Sequence, residues 1–381
     1  MSRRVNQADY LEAKFYSNYQ RLDLALEAKK ARKNCRLKLR ALNGGLNGSK
    51  EEFEREVLPF WSKYGIKPKK MWYDLYCYSE GKYDPLYIPA DLYWEKVYPA
   101  LNMVSFRRAY TNKCIYDQLF PYLKKPGTIL RNVNGIFTDG VGTIVSFEDA
   151  VGILEKRDSY VIKPAFYSGG GRDIYFHVAG EGDIDVIDTA ALLNSYKSDY
   201  IVQELVEQHD VLASIHPQSV NTVRIISYLF GGRVHISSSI LRMGTSGARM
   251  DNYSIGGVAC RIGLDGRLAT HAFDRSWQWV SSHPSGAIFE EIQVPSYDRI
   301  LECVQSVHPE LPFFRIIGWD FAVDKSGEPV FIEYNGAPDL NQVSCGPMFG
   351  NLTESILDFV FLEKPEPSLQ ALDEHGFAEV V

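Results

Sequence analysis

The chain has 381 residues, 45% of them hydrophobic and 23% charged, with a formal net charge of −7. That length allows two or three packed units around a large core. The acidic balance gives no support for nucleic acid as a main partner, and no apolar run approaches the roughly 18–20 residues of a membrane span.

Residues 8–41 read as one long helix rich in Leu, Ala, Glu and Lys, ending before Asn43-Gly44-Gly45. Its second half carries Lys29, Lys30, Arg32, Lys33, Arg36, Lys38 and Arg40. A solvated face is the ordinary reading of such a run. The alternatives are peripheral contact with an anionic membrane or capture of a lipid-linked acidic substrate. Ser49-Lys50-Glu51-Glu52 has capping-box spacing and opens a second helix to about Tyr64. From Gly65 to Asn102 the chain is aromatic and broken by prolines, which reads as an irregular segment packed across the main body, then a helix near Asp91–Ala100. Thr111-Asn112-Lys113 precedes a helical pattern from Ile115 to Leu123. A lysine at a helix start opposes the helix dipole, so Lys113 is expected to face an anion.

Thr128–Val133 reads as a strand, and Ser146–Arg157 as a helix capped by Ser146. A strand then ends at Lys163, a Ser168-Gly169-Gly170-Gly171 loop follows, and Ile174–His177 resumes as a strand. Three glycines let backbone N–H groups approach phosphate oxygens, and Lys163 adds a point charge. A plain hairpin loop is the competing reading. Neither the Walker loop nor the dinucleotide glycine pattern is present. Tyr200–Val206 is a short strand leading into Glu207-Gln208-His209-Asp210. Strand-end amides there can read an adenine edge, and a following acid can hold ribose hydroxyls.

Asn221–Phe230 and Val234–Arg242 read as paired strands around Gly231-Gly232. Arg224 and Arg242 lie in otherwise apolar or hydroxylated strands, where an arginine takes a protein carboxylate or a ligand phosphate. Gly244–Gly257 is a polar, glycine-rich loop suited to face a substrate. Val258–Ile262 and Leu268–Ala272 make a small hairpin. His283, next to Pro284, reads as a structural hydrogen-bonder rather than a catalyst. Ser296–His308 is a helix, Leu352–Leu362 a closing helix, and the tail from Glu363 is expected to be loosely held.

Between these helices lies a hairpin, Ile316–Val323 and Val330–Tyr334, turned by Asp324-Lys325-Ser326-Gly327. Pairing Val323 with Val330 places Asp320 across from Glu333, with Glu333 and Asn335 on the face of Phe331. Like charges that close repel. A magnesium ion held by Asp320, Glu333 and Asn335 would resolve the conflict, and scattered acids on a solvated hairpin are the plain alternative. Cys35, Cys77, Cys114, Cys260, Cys303 and Cys345 show no metal spacing. With no signal peptide evident, they suggest a reducing, cytoplasmic setting.

Taken in order, Lys113, Lys163, Ser168 to Gly171, Gln203-Glu204-Leu205-Val206, Arg224, Asp320, Glu333 and Asn335 resemble an ATP-grasp protein. The segments Tyr87-Ile88-Pro89-Ala90-Asp91, Leu101-Asn102, Val220 to Arg224, His283-Pro284 and Gly318-Trp319-Asp320 are most similar to the sugar-transfer-associated group, linked to cell-surface polysaccharide synthesis. The likeness runs from about Tyr83 to Leu362. It implies an α+β fold in which two lobes clasp ATP. The expected division is a helical region (1–64), an aromatic segment (65–125), lobe A with the phosphate flap (126–202), lobe B with the magnesium site (203–362) and a tail (363–381). The helical region before Tyr83 departs from the parallel-sheet domain usual in that position.

The resemblance also assigns roles. Lys113 and Lys163 would contact the α- and β-phosphates, and Ser168, Gly169, Gly170 and Gly171 would cover them. Glu204 and Val206 would meet adenine through their backbone, Gln203 and Leu205 would belong to the same nucleotide-binding stretch, and Glu207 or Asp210 would meet the ribose. Asp320, Glu333 and Asn335 would hold Mg²⁺. Arg224 and Arg242 would stabilise the transferring phosphoryl group, and Arg249, Asn252 and Gly256-Gly257 would line the acceptor side. The implied reaction is ADP-forming ligation of a carboxylate to an amine through an acyl-phosphate, with sugar-linked substrates among those the resemblance suggests. No Ser-His-Asp or Cys-His arrangement competes with it. A phosphotransferase and a non-catalytic nucleotide-binding module are the alternatives.

Overall fold

The computed structural model describes residues 7–46, 48–166, 171–180, 188–245, 247–251, 256–274 and 278–367, with side chains from residue 18 onward. Two antiparallel sheets carry the chain. The first contains β1 (Thr128–Val133), β2 (Ile136–Asp139), β3 (Ile144–Val145), β4 (Ser159–Pro164), β5 (Tyr175–Val178) and β6 (Tyr200–Gln203), in the order β3-β2-β1-β6-β4-β5. The second contains β7 (Thr222–Phe230), β8 (Arg233–Met243), β9 (Val258–Ile262), β10 (Leu268–Phe273), β11 (Trp279–Val280), β12 (Ile316–Val323) and β13 (Pro329–Asn335), in the order β11-β10-β9-β8-β7-β12-β13.

Turn chemistry sets two of the pairings. Asn134-Gly135 joins β1 to β2 with both φ angles positive, 52° and 84°, and Gly231-Gly232 joins β7 to β8 at 59° and 75°. Such turns match the twist of the strands they connect. The β2 and β3 strands are additions to the sequence reading, although Asn134-Gly135 is the signal that announces them.

Helix Phe147–Leu154, opened by a Ser146–Asp149 capping box, and helix Thr189–Tyr196 cover the first sheet. Their Ala150, Leu154 and Leu193 pack on Ile129, Ile162, Tyr200 and Val202. In the second sheet β12 runs between β7 and β13, and all eight of its residues are buried. One face packs against helix Tyr297–Val307, which buries Tyr297, Ile300, Val304 and Val307 at helical spacing. The other packs Ile226, Tyr228, Phe230 and Ile316 against the N-terminal region and helix Thr353–Leu362.

Helix α1 (Gln7–Ala41) docks through Leu24, Ala28 and Cys35, with Leu42 just past its end. The second helix breaks at Val57, into Lys50–Glu56 and Leu58–Ser62, because Pro59 cannot sit inside a continuous helix. The aromatic segment is more regular than expected, with a helix at Lys70–Tyr76. Trp72, Tyr76 and Tyr87 stack in series, with ring centroids 5.9 and 5.5 Å apart. Each buried ring of this kind contributes about 2–3 kcal/mol through burial. The start of the tail is anchored rather than loose: Glu366 accepts from Gly231 N–H at 2.9 Å and pairs with Arg315. No described helix is long and apolar enough to cross a membrane.

Candidate functional site

Three neighbouring strands place one charged residue each in a row. Register puts Arg224 of β7 opposite Asp320 of β12, and Asp320 opposite Glu333 of β13. Arg224 Nη2 donates to Asp320 Oδ2 at 2.7 Å, and its Nε donates to Oδ1. Arg242 Nη2 lies 3.2 Å from the same Oδ2. The Asp320 side chain is only 2% exposed. A lone carboxylate could not be buried so deeply without great cost, and the two guanidinium groups offset it. Burial works against the Arg224 charge, and Asp320 outweighs it, raising the guanidinium further above its ordinary value. The carboxylate that the sequence allows as partner of these arginines is therefore Asp320.

Glu333 meets a third cation, with Lys113 Nζ 2.9 Å from its Oε2. Burial pushes the Glu333 carboxyl up, but Lys113, Arg224 and Arg242 together hold it well below the usual carboxylate range. The anion expected opposite Lys113 is thus supplied by the protein itself. Lys163 lies behind this pair. Burial lowers its ammonium to about 8, Glu333 opposes the shift and Lys113 adds to it. Its Nζ donates to Gln203 Oε1 at 3.3 Å.

A bulge sets the row. Val323 pairs with Pro329 and Ala322 with Val330, one residue off the expected register, yet Asp320 still faces Glu333. Ile332 is the extra residue that absorbs the difference. It also overturns the expected shared face. Phe331 and Tyr334 both point into the core, their rings 5.4 and 6.0 Å from that of Phe120, while Ile332, Glu333 and Asn335 line the cleft.

The cleft lies between the two sheets and encloses about 1960 Å³. That is more than the roughly 300–1,000 Å³ of a site for one small ligand. Lys113, Lys163, Gly171, Glu204, Leu205, Val206, Glu207, Arg224, Arg242, Arg249, Asp320, Glu333 and Asn335 all line it. Gln203 contributes through its bond to Lys163, and Asp210 instead opens the short helix Asp210–Ile215 outside the cleft wall. Glu207 pairs with Lys325 at 3.2 Å. Ser168, Gly169, Gly170 and Asn252 lie outside the described residues. Gly171 has φ 73°, and a Cβ there would fall 2.1 Å from Met250 Sδ. Gly171 and Met250 thus lie against each other.

Two histidines fix that second loop. The ring nitrogens His216 Nε2 and His283 Nε2 donate to Ala248 O and Gly244 O, each at 2.8 Å, which is the structural role read for His283. Asp251 accepts from Thr222 N–H at 3.1 Å and lies 3.4 Å from Arg242 Nε. Burial raises the Asp251 carboxyl, with Arg242 and Thr222 opposing.

The sequence reading omits Arg107, Arg108, Thr222 and Asp251, and it omits Asp23 and Glu27 of α1; all six line the cleft. Arg107 Nη2 lies 3.0 Å from Asp23 Oδ2, which ties α1 to the cleft wall. The Arg107-Arg108 dipeptide close before Lys113 was the available signal, as was the one-turn spacing of Asp23 and Glu27.

The donor set can be tested for magnesium. No group of three or more His, Cys, Asp or Glu side chains suited to a metal occurs among the described residues. The expected set has two carboxylates and one amide. Glu333 has one oxygen on Lys113, and Asn335 Oδ1 accepts from Ala337 N–H at 2.9 Å. Both are oxygen donors two residues apart on the cleft wall, and they fit a hard cation. Asp320 fits only by exchanging one of its guanidinium contacts.

A family model described as sugar-transfer associated ATP-grasp matches residues 95–352. No curated protein matches the chain. Among solved structures, D-alanyl-alanine synthetase A from Vibrio cholerae is 14% identical over 68% of this chain and 64% of its own, at TM-score 0.38. The L-amino acid ligase from Bacillus licheniformis is 13% identical over 72% and 51%, at 0.40. The VanG D-Ala:D-Ser ligase from Enterococcus faecalis is 14% identical over 66% and 61%, at 0.40. The chain spans less than two thirds of the length of each of these three proteins.

Proposed function

Because the chain belongs to the sugar-transfer-associated ATP-grasp family, we propose that it is an ATP- and Mg²⁺-dependent ligase that joins a carboxylate to an amine, with sugar-linked substrates. The observation that carries this reading is the row Arg224–Asp320–Glu333–Lys113, which holds cations on both sides of two carboxylates in one cleft. Cations so placed would neutralise phosphate charge, and phosphoryl transfer depends mainly on positioning and charge.

In the proposed reaction a substrate carboxylate oxygen attacks the γ-phosphorus of ATP, and the bond to the β,γ-bridging oxygen breaks. ADP leaves, and an acyl-phosphate remains. An amine nitrogen then attacks the acyl carbon, phosphate departs, the nitrogen gives up its proton, and an amide is formed. Lys113 and Lys163 bind the phosphates. Glu204 N–H is already donated to Gly127 O, so its carbonyl and the Val206 N–H are assigned to adenine, and Glu207 to the ribose. Glu333 and Asn335, with Asp320, would hold magnesium, which would neutralise phosphate charge when bound. Arg224 and Arg242, kept in place by Asp320, are aimed at the transferred group. A cleft larger than one nucleotide requires suits a second substrate. Assaying ADP, free phosphate and phosphorylated product together, with uronic acids crossed against amino acids, tests the reading. Release of ADP and phosphate in equal amounts is expected. Phosphate retained on the product, with none free, would overturn the ligase in favour of a phosphotransferase.

A further inference from the structure

Helix α1 has two working faces. Leu24, Ala28 and Cys35 are buried, and Asp23 and Glu27 turn toward the cleft. The opposite face is open. Lys29, Lys33, Arg36 and Arg40 are all exposed, and no carboxylate lies within ion-pair distance of any of them among the described residues. Leu22, Leu26 and Leu37 share that face and are 60%, 47% and 48% exposed. At about 100° per residue, the four cations and three leucines fall within an arc of about 100°, and Leu22 to Arg40 spans about 27 Å. From residue 18 to residue 41 no carboxylate is fully exposed.

We infer that this face docks on an anionic phospholipid bilayer. The protein as a whole is acidic, at −7, so a cationic stripe on one helix is a local departure from the general charge. Lysines and arginines near an anionic leaflet are drawn to it, and apolar side chains among them enter the headgroup boundary. The three leucines separate this surface from a nucleic-acid face, which has no use for exposed apolar groups between its cations. A second copy of the chain on the same face would bring two cationic stripes together. Asp23 and Glu27 lie on the flank of this face, at about 140° and 180° from Arg36 on the same wheel, so docking also holds the end of the cleft that they line with Arg107 close to the lipid. The inference is independent of the ligase reading.

The test uses the purified full chain and flotation with vesicles of phosphatidylcholine alone or with about three-tenths phosphatidylglycerol. Binding to the anionic vesicles only, weakened as salt rises from about 50 to about 500 mM, is expected. Each cation reversed should weaken binding about fivefold or more. Lys29→Glu, Lys33→Glu, Arg36→Glu and Arg40→Glu combined should therefore weaken it at least about a hundredfold. Leu22→Ser, Leu26→Ser and Leu37→Ser, at constant charge, should weaken it about tenfold, which attraction by charge alone would not give. Circular dichroism checks each variant, and Lys33→Glu with Arg40→Glu serves if the larger set does not fold. Equal binding to both vesicles, no binding, or full binding by the charge variants would overturn the inference. So would a dimer seen by light scattering that the charge variants abolish, or duplex DNA that displaces the vesicles.

Discussion

Arg224 and Asp320 meet across β7 and β12 through two parallel hydrogen bonds, in a place where both are largely closed to solvent. Removing one partner of such a pair leaves the other charge stranded, at about 3–5 kcal/mol. Arg242 still reaches Asp320, so the low end applies here. Arg224→Met should lower the urea-unfolding free energy by about 3 kcal/mol. Arg224→Met with Asp320→Leu should recover much of that loss without restoring ADP release. A double variant no more stable than the single one would mean that the pair is not what the arginine protects.

Glu333→Gln keeps the shape of the side chain and removes the charge that faces Lys113. The ATP affinity gained on adding Mg²⁺ should fall at least about tenfold, and ADP release at least about a hundredfold, because the amide is a poorer ligand for a hard cation. Calorimetric titration of ATP with and without Mg²⁺ measures the first. An unchanged magnesium effect would remove Glu333 from the proposed ligand set.

The Lys163 ammonium, pushed down to about 8 by burial, predicts a pH-dependent nucleotide affinity. Below that value the free protein already carries the charge that the proposed phosphate contact uses. Above it the amine is neutral, and binding must take up a proton. The dissociation constant for ATP should therefore rise above about pH 8, approaching tenfold per unit. Lys163→Arg should flatten the profile. Titrations in two buffers of different ionisation enthalpy will report the proton uptake.

His308 is fully buried between Ser227 Oγ, 2.7 Å from Nδ1, and Phe314 O, which accepts from Nε2 at 3.0 Å. Burial lowers its imidazolium to about 4. In the unfolded chain the ring takes its proton near 6.5, so the unfolded state holds more protons between those values. Stability should fall by about 3 kcal/mol as pH drops from about 6.5 to about 4. Urea unfolding across that range should show the slope, and His308→Gln should reduce it. The depressed Glu333 carboxyl acts in a lower window, below about 4.5, where its stabilising charge is lost by protonation.

Much of the site is legible in the chain because its parts are local. The β12–β13 hairpin follows from two apolar runs and a polar turn, and the Asp320–Glu333 pairing from their spacing. Ile332 carries no mark of a bulge, since an extra β-branched residue looks like any other strand position. The Arg224–Asp320 pair depends on register between strands nearly a hundred residues apart, and no local pattern fixes it. The same is true of Arg107 and Asp23, 84 residues apart. The helix Lys70–Tyr76 is hidden for another reason. In its seven residues Trp72, Tyr73, Leu75 and Tyr76 are all buried, and Lys70 and Asp74 are the one polar pair at helical spacing, too short a pattern to reveal a period.

The unpaired Ile332 reconciles two demands that a regular ribbon cannot meet together. Phe331 and Tyr334 need an interval of three to fill one interior, whereas Glu333 and Asn335 need an interval of two to look the opposite way. A chain shortened by that one isoleucine would have to choose, either drawing an acid inward among rings or turning a phenol out into the cleft. Insertions and deletions at this point should therefore be far less tolerated than substitutions, since Ile332 serves as a spacer whose value lies in being counted.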